Sequence, residues 1–193
     1  MEISRQQAES TLLKIFGIEH FYDEQWKAIN AILQGKRILM IARTGFGKSL
    51  CYQYPAVLFD GVTVVFSPLI ALMRDQVKSL STLHISARCI NCEESLDDNK
   101  KSIEDAIDGK VKILYIAPER QENDIWQEAV RHIKLSMVVV DEDLIRYHSG
   151  DMILDQHSGE LKTLLEIIFL PICQSLLLRQ LLQKGYRRIL RNS

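Results

Sequence analysis

The sequence predicts an α/β fold, a mostly parallel β-sheet with helices on both faces, and three observations carry that prediction. Ile38–Ile41, Val62–Phe66, Val111–Ile116 and Met137–Val140 are short, largely apolar runs without in–out alternation. Strands buried on both faces read this way. Stretches of helical periodicity separate the runs, as crossover helices separate the strands of a parallel sheet. Third, the segments that follow the runs hold the chain's chemically capable residues: Ala42–Ser49, Ser67-Pro68, Ala117-Pro118 and Asp141-Glu142. Ligands of such sheets bind at the carboxyl ends of the strands.

In order, Gln6–Phe16 sets Ala8, Leu12, Leu13, Ile15 and Phe16 at helical spacing and stops at Gly17. Asp23 then stands as the N-cap of a second helix bearing Trp26, Ile29, Ala31, Ile32 and Leu33, with Gly35 as its stop. After the first strand, Leu50–Gln53 continues as a helix until Pro55. Gly61 opens the second strand, and Ser67–Val77 reads as a turn into an amphipathic helix. Ile85–Ile90 suits a short strand, Ser95–Asp108 a polar helix with Ile103, Ala106 and Ile107 inward, and Asn123–His132 another helix.

The 193 residues suffice for one well-buried domain, and 47% hydrophobic content fits a soluble globular protein. A formal net charge of -1 means that any nucleic-acid contact has to come from a local face. Cys51, Cys89, Cys92 and Cys173 form no framework; Cys89-x-x-Cys92 has no second half, so the residues argue for reduced thiols rather than zinc. The polar start at Met1–Arg5 is not a signal peptide. Lys162, Glu166, Pro171 and Gln174 break the leucine-rich stretch Leu161–Leu178, which excludes a membrane span. A cytoplasmic location follows, at the nucleoid in a bacterium.

The run Ala42-Arg43-Thr44-Gly45-Phe46-Gly47-Lys48-Ser49 lies between an apolar strand and a helix start. That is the context of a phosphate-binding loop, although Ala42 replaces the usual first Gly. Glycines turn backbone N–H groups inward around a polyphosphate, and the helix N-terminus adds positive partial charge. Thr44, Gly45, Gly47, Lys48 and Ser49 are therefore the nucleotide-binding candidates, with Lys48 on the terminal phosphates and Ser49 on Mg²⁺. Asp141 ends the fourth strand and is placed to hold Mg²⁺ through water opposite Ser49; Glu142 is placed to deprotonate an attacking water. Gln25, one short helix before the loop, can present its amide to adenine, but taken alone it is a polar residue on a helix.

Gly45-x-Gly47-Lys48-Ser49-Leu50-Cys51-Tyr52-Gln53, the run S-P-L-I-A-L-M-R-D-Q-V from Ser67 and Y-I-A-P-E-R from Tyr115 together resemble the RecQ family of ATP-dependent DNA helicases. The likeness covers about Phe16 to Glu142, and the Ser67 run is its most specific part. It implies a RecA-like P-loop domain, the first motor domain, coupling ATP hydrolysis with Mg²⁺ to 3′-to-5′ travel on single-stranded or partly duplex DNA. It also implies that Gln25 reads adenine, that Lys48, Asp141 and Glu142 are catalytic, and that Ser67, Pro68, Arg74, Asp75 and Gln76 contact DNA or couple it to the nucleotide. Two positions depart from the pattern: Tyr22 replaces an Arg, and Phe46 replaces a loop Gly whose backbone freedom a bulky side chain removes. A non-enzymatic nucleotide- or DNA-binding remnant and a different P-loop enzyme are the competing readings, the second disfavoured by the Ser67 run.

The resemblance divides the chain into residues 1–20, an N-terminal helical segment; 21–142, the ATP-binding domain; and 143–193, an atypical tail. Where the family continues toward W-G-H-D-F-R-P, the chain reads Asp143-Leu144-Ile145-Arg146-Tyr147-His148-Ser149-Gly150-Asp151. The genetic code offers a reason. When the third base of each codon joins the first two of the next, Met152-Ile153 forces Asp, and Asp151-Met152 permits only His or Tyr. From Ser149 to Glu160 this frame permits W-G-H-D-F-R-P-A-F-R-R, and Leu176 to Leu182 permits A-T-A-T-A-T. The tail therefore reads as out of frame on an incomplete motor domain, ahead of a divergent C-terminal helix pair as the alternative. Leu161–Leu190 offers neither the β-branched runs nor the turn signals of further strands, which leaves the sheet edge beyond Val140 bare. A second motor domain would carry an arginine finger worth about 10³–10⁵ in rate, so the polypeptide is expected to bind ATP–Mg²⁺ weakly, without brisk hydrolysis or unwinding. Sequencing codons 141–193 checks the frame: one alternative frame is expected to stay open through both motifs and past the stop after Ser193. Stop codons closing it inside that window would leave the tail as genuine structure.

Overall fold

The computed structural model describes residues 3–42, 45–120, 123–141 and 165–171. Helix α1 spans Arg5–Phe16; Ser4 caps it, its Oγ accepting from the Gln7 N–H while Gln7 Oε1 accepts from the Ser4 N–H at 3.0 Å. Gly17 ends it in the left-handed conformation. Helix α2 spans Asp23–Leu33, and here the expected cap is wrong. Tyr22, not Asp23, is the N-cap residue, because Gln25 Oε1 takes the Tyr22 N–H at 2.9 Å and closes the helix start from its third position. The Asp23 carboxylate is instead held by Arg5 of α1 at 2.6 Å.

Strand β1 (Ile38–Ala42) leads through the glycine loop into α3 (Lys48–Leu58). The expected stop at Pro55 fails: α3 passes through it and ends three residues later, the Pro55 carbonyl accepting from the Phe59 N–H at 2.9 Å. A proline inside a helix costs about 3 kcal/mol. Burial of every residue from Leu50 to Ala56 offsets that cost, since the helix packs around its whole circumference. Strand β2 (Val62–Phe66), α4 (Ile70–Thr82), β3 (Ala87–Ile90), α5 (Leu96–Ile107) and β4 (Ile113–Ile116) follow as the periodicity predicts. A 3₁₀ turn at Pro118–Arg120 leads to α6 (Asp124–Ala129), shorter than expected and capped by Asn123, and then to β5 (Leu135–Asp141).

The sheet order is β1-β6-β5-β2-β4-β3, where β6 is Leu165–Pro171. β2 pairs in parallel with β4 and β5, and β4 with β3. β6 runs antiparallel to both of its neighbours, from Ile38↔Phe169 on one side to Asp141↔Ile167 on the other. That strand corrects the expectation of a bare edge beyond Val140. Ile167-Ile168-Phe169 is a β-compatible apolar run, short enough to be masked in sequence by the leucines around it. The remaining tail residues, 143–164 and 172–193, lie outside the described residues, as do Glu142 and the proposed frame break.

Alternate side chains of the central strands feed two cores, one on each face of the sheet. Val65, Ile113, Tyr115, Met137 and Val139 pack with Ala8, Leu12, Ile29, Tyr54, Met73 and Leu80, so α1 to α4 cover one face. Val64, Leu114, Ile116, Val138 and Val140 pack with Ile103, Ala106, Trp126 and Ala129 of α5 and α6 on the other. The predicted three-layer arrangement is thus the observed one. Gly61 marks where β2 enters it, with φ of +127° and a Cβ that would lie 2.4 Å from the Lys134 carbonyl oxygen. That same carbonyl accepts the Val62 N–H at 2.8 Å, so the two backbones cannot separate without losing the sheet's first bond there. Gly61→Ala is expected to cost about 2 kcal/mol or more, read as a lower urea midpoint; an unchanged midpoint would contradict this close approach.

Candidate nucleotide site

The loop between β1 and α3 carries Gly45 and Gly47 in the left-handed region, at φ of +81° and +80°. Gly47 is the N-cap residue of α3, which places Lys48 and Ser49 at its first turn. The N-terminal turn of a helix, with the helix dipole behind it, is an anion-binding end. Arg43 and Thr44 lie outside the described residues, so Thr44, expected on the nucleotide, is not located.

Gln25 comes to this loop from α2. It is only 4% exposed. Its Nε2 donates to the Phe46 carbonyl at 3.0 Å and to the Gly47 carbonyl at 3.4 Å, while its Oε1 accepts the Tyr22 N–H. A Cβ on Gly47 would lie 2.7 Å from that same Nε2. The glycine therefore serves the approach of a side-chain amide as well as the turn. Sequence reasoning put Gln25 near the nucleotide but did not foresee its grip on the loop backbone.

Tyr22 and Phe46, the two departures from the family pattern, touch each other. Their ring centroids are 6.1 Å apart at 37°, with Phe46 half-buried and Tyr22 exposed. The bulk added to the loop is thus met by an aromatic face added at the α2 N-cap. Their joint departure was the available sequence signal, since neither substitution alone predicts the other.

Asp141 ends β5 and Ser49 lies in the first turn of α3; both act on the buried hydroxyl of Tyr52. Burial pushes the Tyr52 pKa well above the ordinary tyrosine range, the neighbouring Tyr115 and the Asp141 charge push it further, and a hydrogen bond with the Ser49 side chain opposes them. Burial likewise pushes Tyr115 up to about 12, with Asp141 again adding to the rise. Glu142 lies outside the described residues. Hydroxyl and carboxylate oxygens are a hard donor set that suits Mg²⁺. Among the described residues no group of three His, Cys, Asp or Glu gathers to hold a metal ion.

The Ser67–Gln76 candidates do not share one face. Ser67 is buried at the end of β2, its N–H donating to the Ile116 carbonyl at 3.1 Å, and half-buried Pro68 follows in the turn to α4. Arg74 is held by two carboxylates, Glu93 at 2.6 Å and Glu94 at 3.1 Å. The bonds to Glu94 and then the charge of Glu93 raise its pKa. Asp75 is exposed, whereas Gln76 turns inward and accepts from Gln53 Nε2 at 2.6 Å. Glu93 and Glu94 were missed in sequence because they come from the loop after β3, which the fold alone brings beside α4.

This junction, at the carboxyl ends of a largely parallel sheet, defines a P-loop nucleotide-binding domain. The chain belongs to the DEAD/DEAH box helicase family, whose model matches residues 22–170. It is 39% identical over 140 residues to the ATP-dependent DNA helicase RecQ of Haemophilus influenzae, covering 72% of this chain and 23% of that protein. It is 36% identical over 149 residues to the RecQ helicase of Synechocystis, covering 76% and 31%, respectively. With the ATP-dependent DNA helicase Q5 of Rattus norvegicus it shares 41% identity over 141 residues, covering 69% and 14%. The chain thus spans less than a third of the length of these relatives. If Tyr22 and Phe46 act as one unit, their alanine variants should be non-additive by about 0.5–1 kcal/mol in thermal unfolding; additive losses would separate them.

Proposed function

We propose that the chain binds ATP with Mg²⁺ at the β1–α3 junction and serves as the first motor unit of a RecQ-type helicase. The track of such a helicase is single-stranded or partly duplex DNA, followed 3′ to 5′; this chain alone binds ATP–Mg²⁺ weakly, without brisk hydrolysis or unwinding. The observation that carries this reading is the meeting of three elements at the sheet's carboxyl ends: α2 through Gln25, the glycine loop with Gly45 and Gly47 in the left-handed region, and the first turn of α3. In this role Lys48 binds the terminal phosphates, Thr44, Gly45 and Gly47 line them, and Gln25 reads the adenine edge only after its Nε2 releases the Phe46 and Gly47 carbonyls that hold it in this structure. Ser49 and Asp141 hold Mg²⁺, Asp141 partly through water. The ion, when bound, neutralises charge on the phosphates. Glu142 orients and deprotonates the attacking water, a role that follows from its position directly after Asp141.

Ser67, Pro68, Arg74, Asp75 and Gln76 provide DNA contact and coupling. With a net charge of -1 the chain has no global attraction for DNA, so Arg74 matters as a local cation. Exchanging Glu93 and Glu94 for a phosphate costs little, because exposed ion pairs contribute only about 0–1 kcal/mol. No helix among the described residues is long and apolar enough to cross a membrane. We place the protein in the cytoplasm, at the nucleoid in a bacterium. Residues 21–142 form the ATP-binding unit, preceded by the helical segment 1–20 and followed by an out-of-frame stretch from 143.

Lys48→Ala tests the site. The variant is expected to lose fluorescent-ATP binding at least tenfold with an unchanged circular dichroism spectrum, because Lys48 acts on phosphate rather than on the fold. Equal affinity would reduce the loop to a tight strand-to-helix turn. Nucleotide turnover that ignores added DNA would point to a different P-loop enzyme.

A further inference from the structure

Arg74 of α4 is met on two sides by the loop that follows β3. Its Nη1 donates to Glu93 Oε2 at 2.6 Å, while its Nε and Nη2 donate to Glu94 Oε1 at 3.2 Å and 3.1 Å. All three guanidinium nitrogens are engaged, although the side chain is 44% exposed. A strand phosphate would reach for the same groups, because a guanidinium grips carboxylate and phosphate through the same paired N–H donors.

The loop that presents the two carboxylates is built, not loose. Asn91 Oδ1 accepts the Glu93 N–H at 2.9 Å and the Glu94 N–H at 3.0 Å. The Asn91 backbone is clasped in turn: its N–H donates to Asn99 Oδ1 at 3.1 Å, and its carbonyl accepts from Asn99 Nδ2 at 2.9 Å and from Arg120 Nη2 at 3.0 Å. Asn99 Nδ2 also lies 3.3 Å from the Glu94 carbonyl. Asn91 and Asn99 are 0% and 7% exposed, and buried amides give up such partners only at a cost. Glu93 and Glu94 therefore stand on a backbone fixed from β3, α5 and the 3₁₀ turn. A swing of the side chains releases Arg74, but both charges stay beside it.

The fold does not require this arrangement. Exposed ion pairs add little stability, and the asparagines already hold the loop. What the two carboxylates change is the local field. A phosphate that arrives at Arg74 gains one cation, must first displace the fork from its present partners, and then meets two like charges. We infer that Glu93 and Glu94 set the affinity of this segment for nucleic acid: they stand in for strand phosphate on Arg74 and keep the binding of single-stranded DNA weak. This rests on the proposed function, which gives Arg74 its contact with DNA.

The test is the anisotropy of a fluorescein-labelled single-stranded oligothymidylate titrated with the full 193-residue chain. At about 100 mM salt the screening length is about 10 Å, so only charges close to the strand act. Glutamine keeps the shape of glutamate and drops its charge. Glu93→Gln/Glu94→Gln is expected to bind at least about threefold more tightly than the unaltered chain. Added to Arg74→Ala, the same pair should bring no gain over Arg74→Ala alone, because the carboxylates act through that arginine. Asp97→Asn/Glu104→Gln removes two exposed charges from α5 instead and should shift affinity by less than about 1.5-fold. A purely structural ion pair would lower the urea midpoint of the glutamine variant and leave its DNA affinity unchanged or weaker. That result, a gain that survives in Arg74→Ala, or an equal gain from the α5 control overturns the inference. Failure of every one of these chains to bind the oligonucleotide overturns the DNA contact proposed for the segment, and the inference with it.

Discussion

Gln25 uses one carboxamide at both ends of the site, and much of the local structure depends on it. Its oxygen closes the start of α2 by taking the Tyr22 N–H, and its nitrogen holds the carbonyls of Phe46 and Gly47. The loop is thereby tied to a helix that precedes it in sequence. Three otherwise separate facts follow. Asp23 is released from capping and pairs with Arg5, Gly47 stays free of a Cβ that would collide with the amide, and Phe46 lies against Tyr22. A buried amide so fully engaged fixes loop geometry more firmly than the loop's own two left-handed glycines can.

The rest of the scaffold is apolar where it bears weight and polar only along defined lines. β2, β4 and β5 are buried on both faces and alternate their side chains between two cores, which leaves no solvated face to set the register. Register there rests on side-chain volume and on fixed approaches such as Gly61 against Lys134. The exposed ion pairs, Arg5–Asp23, Lys134–Asp60 and Arg74 with Glu93 and Glu94, lie outside these cores and are screened by solvent. Their weakness suits positions that exchange partners. The buried chain of Tyr52, Tyr115, Gln53 and Gln76 has the opposite character, since in low dielectric each of its members depends on the next.

What the sequence made legible was local. The strands at Val62–Phe66 and Met137–Val140 were readable because a run buried on both faces has a composition of its own. The phosphate loop was readable because its chemistry occupies consecutive residues. The misreadings share a cause in tertiary structure. Pro55 looked like a stop because propensity takes no account of a helix buried all round; Asp23 looked like a cap because the reach of Gln25 is invisible one residue at a time. β6 was passed over because Ile167-Ile168-Phe169 is too short to announce itself, and only the slot between β1 and β5 gives it a partner on each side. Lys48, Ser49 and Asp141 are candidates that motif alone proposes, whereas the neighbourhood of Tyr52, Tyr115, Glu93 and Glu94 emerges only when α3, β4 and the loop after β3 converge.

The position of α3 sets what this core can and cannot change. The helix begins at the phosphate loop, carries Tyr52 and Gln53 in its second turn, and is buried on every side as far as Ala56. Tilting or sliding it would disturb the close packing that offsets Pro55, and such packing resists small continuous displacement. A hydroxyl, by contrast, rotates about a single bond at little cost while its oxygen stays in place. Beside a helix that cannot easily shift, reorientation of bonded hydroxyls is the smaller change. The same all-round burial makes α3 a rigid base for Ser49, and the polar atoms it carries inside are held by partners on β4 and α4.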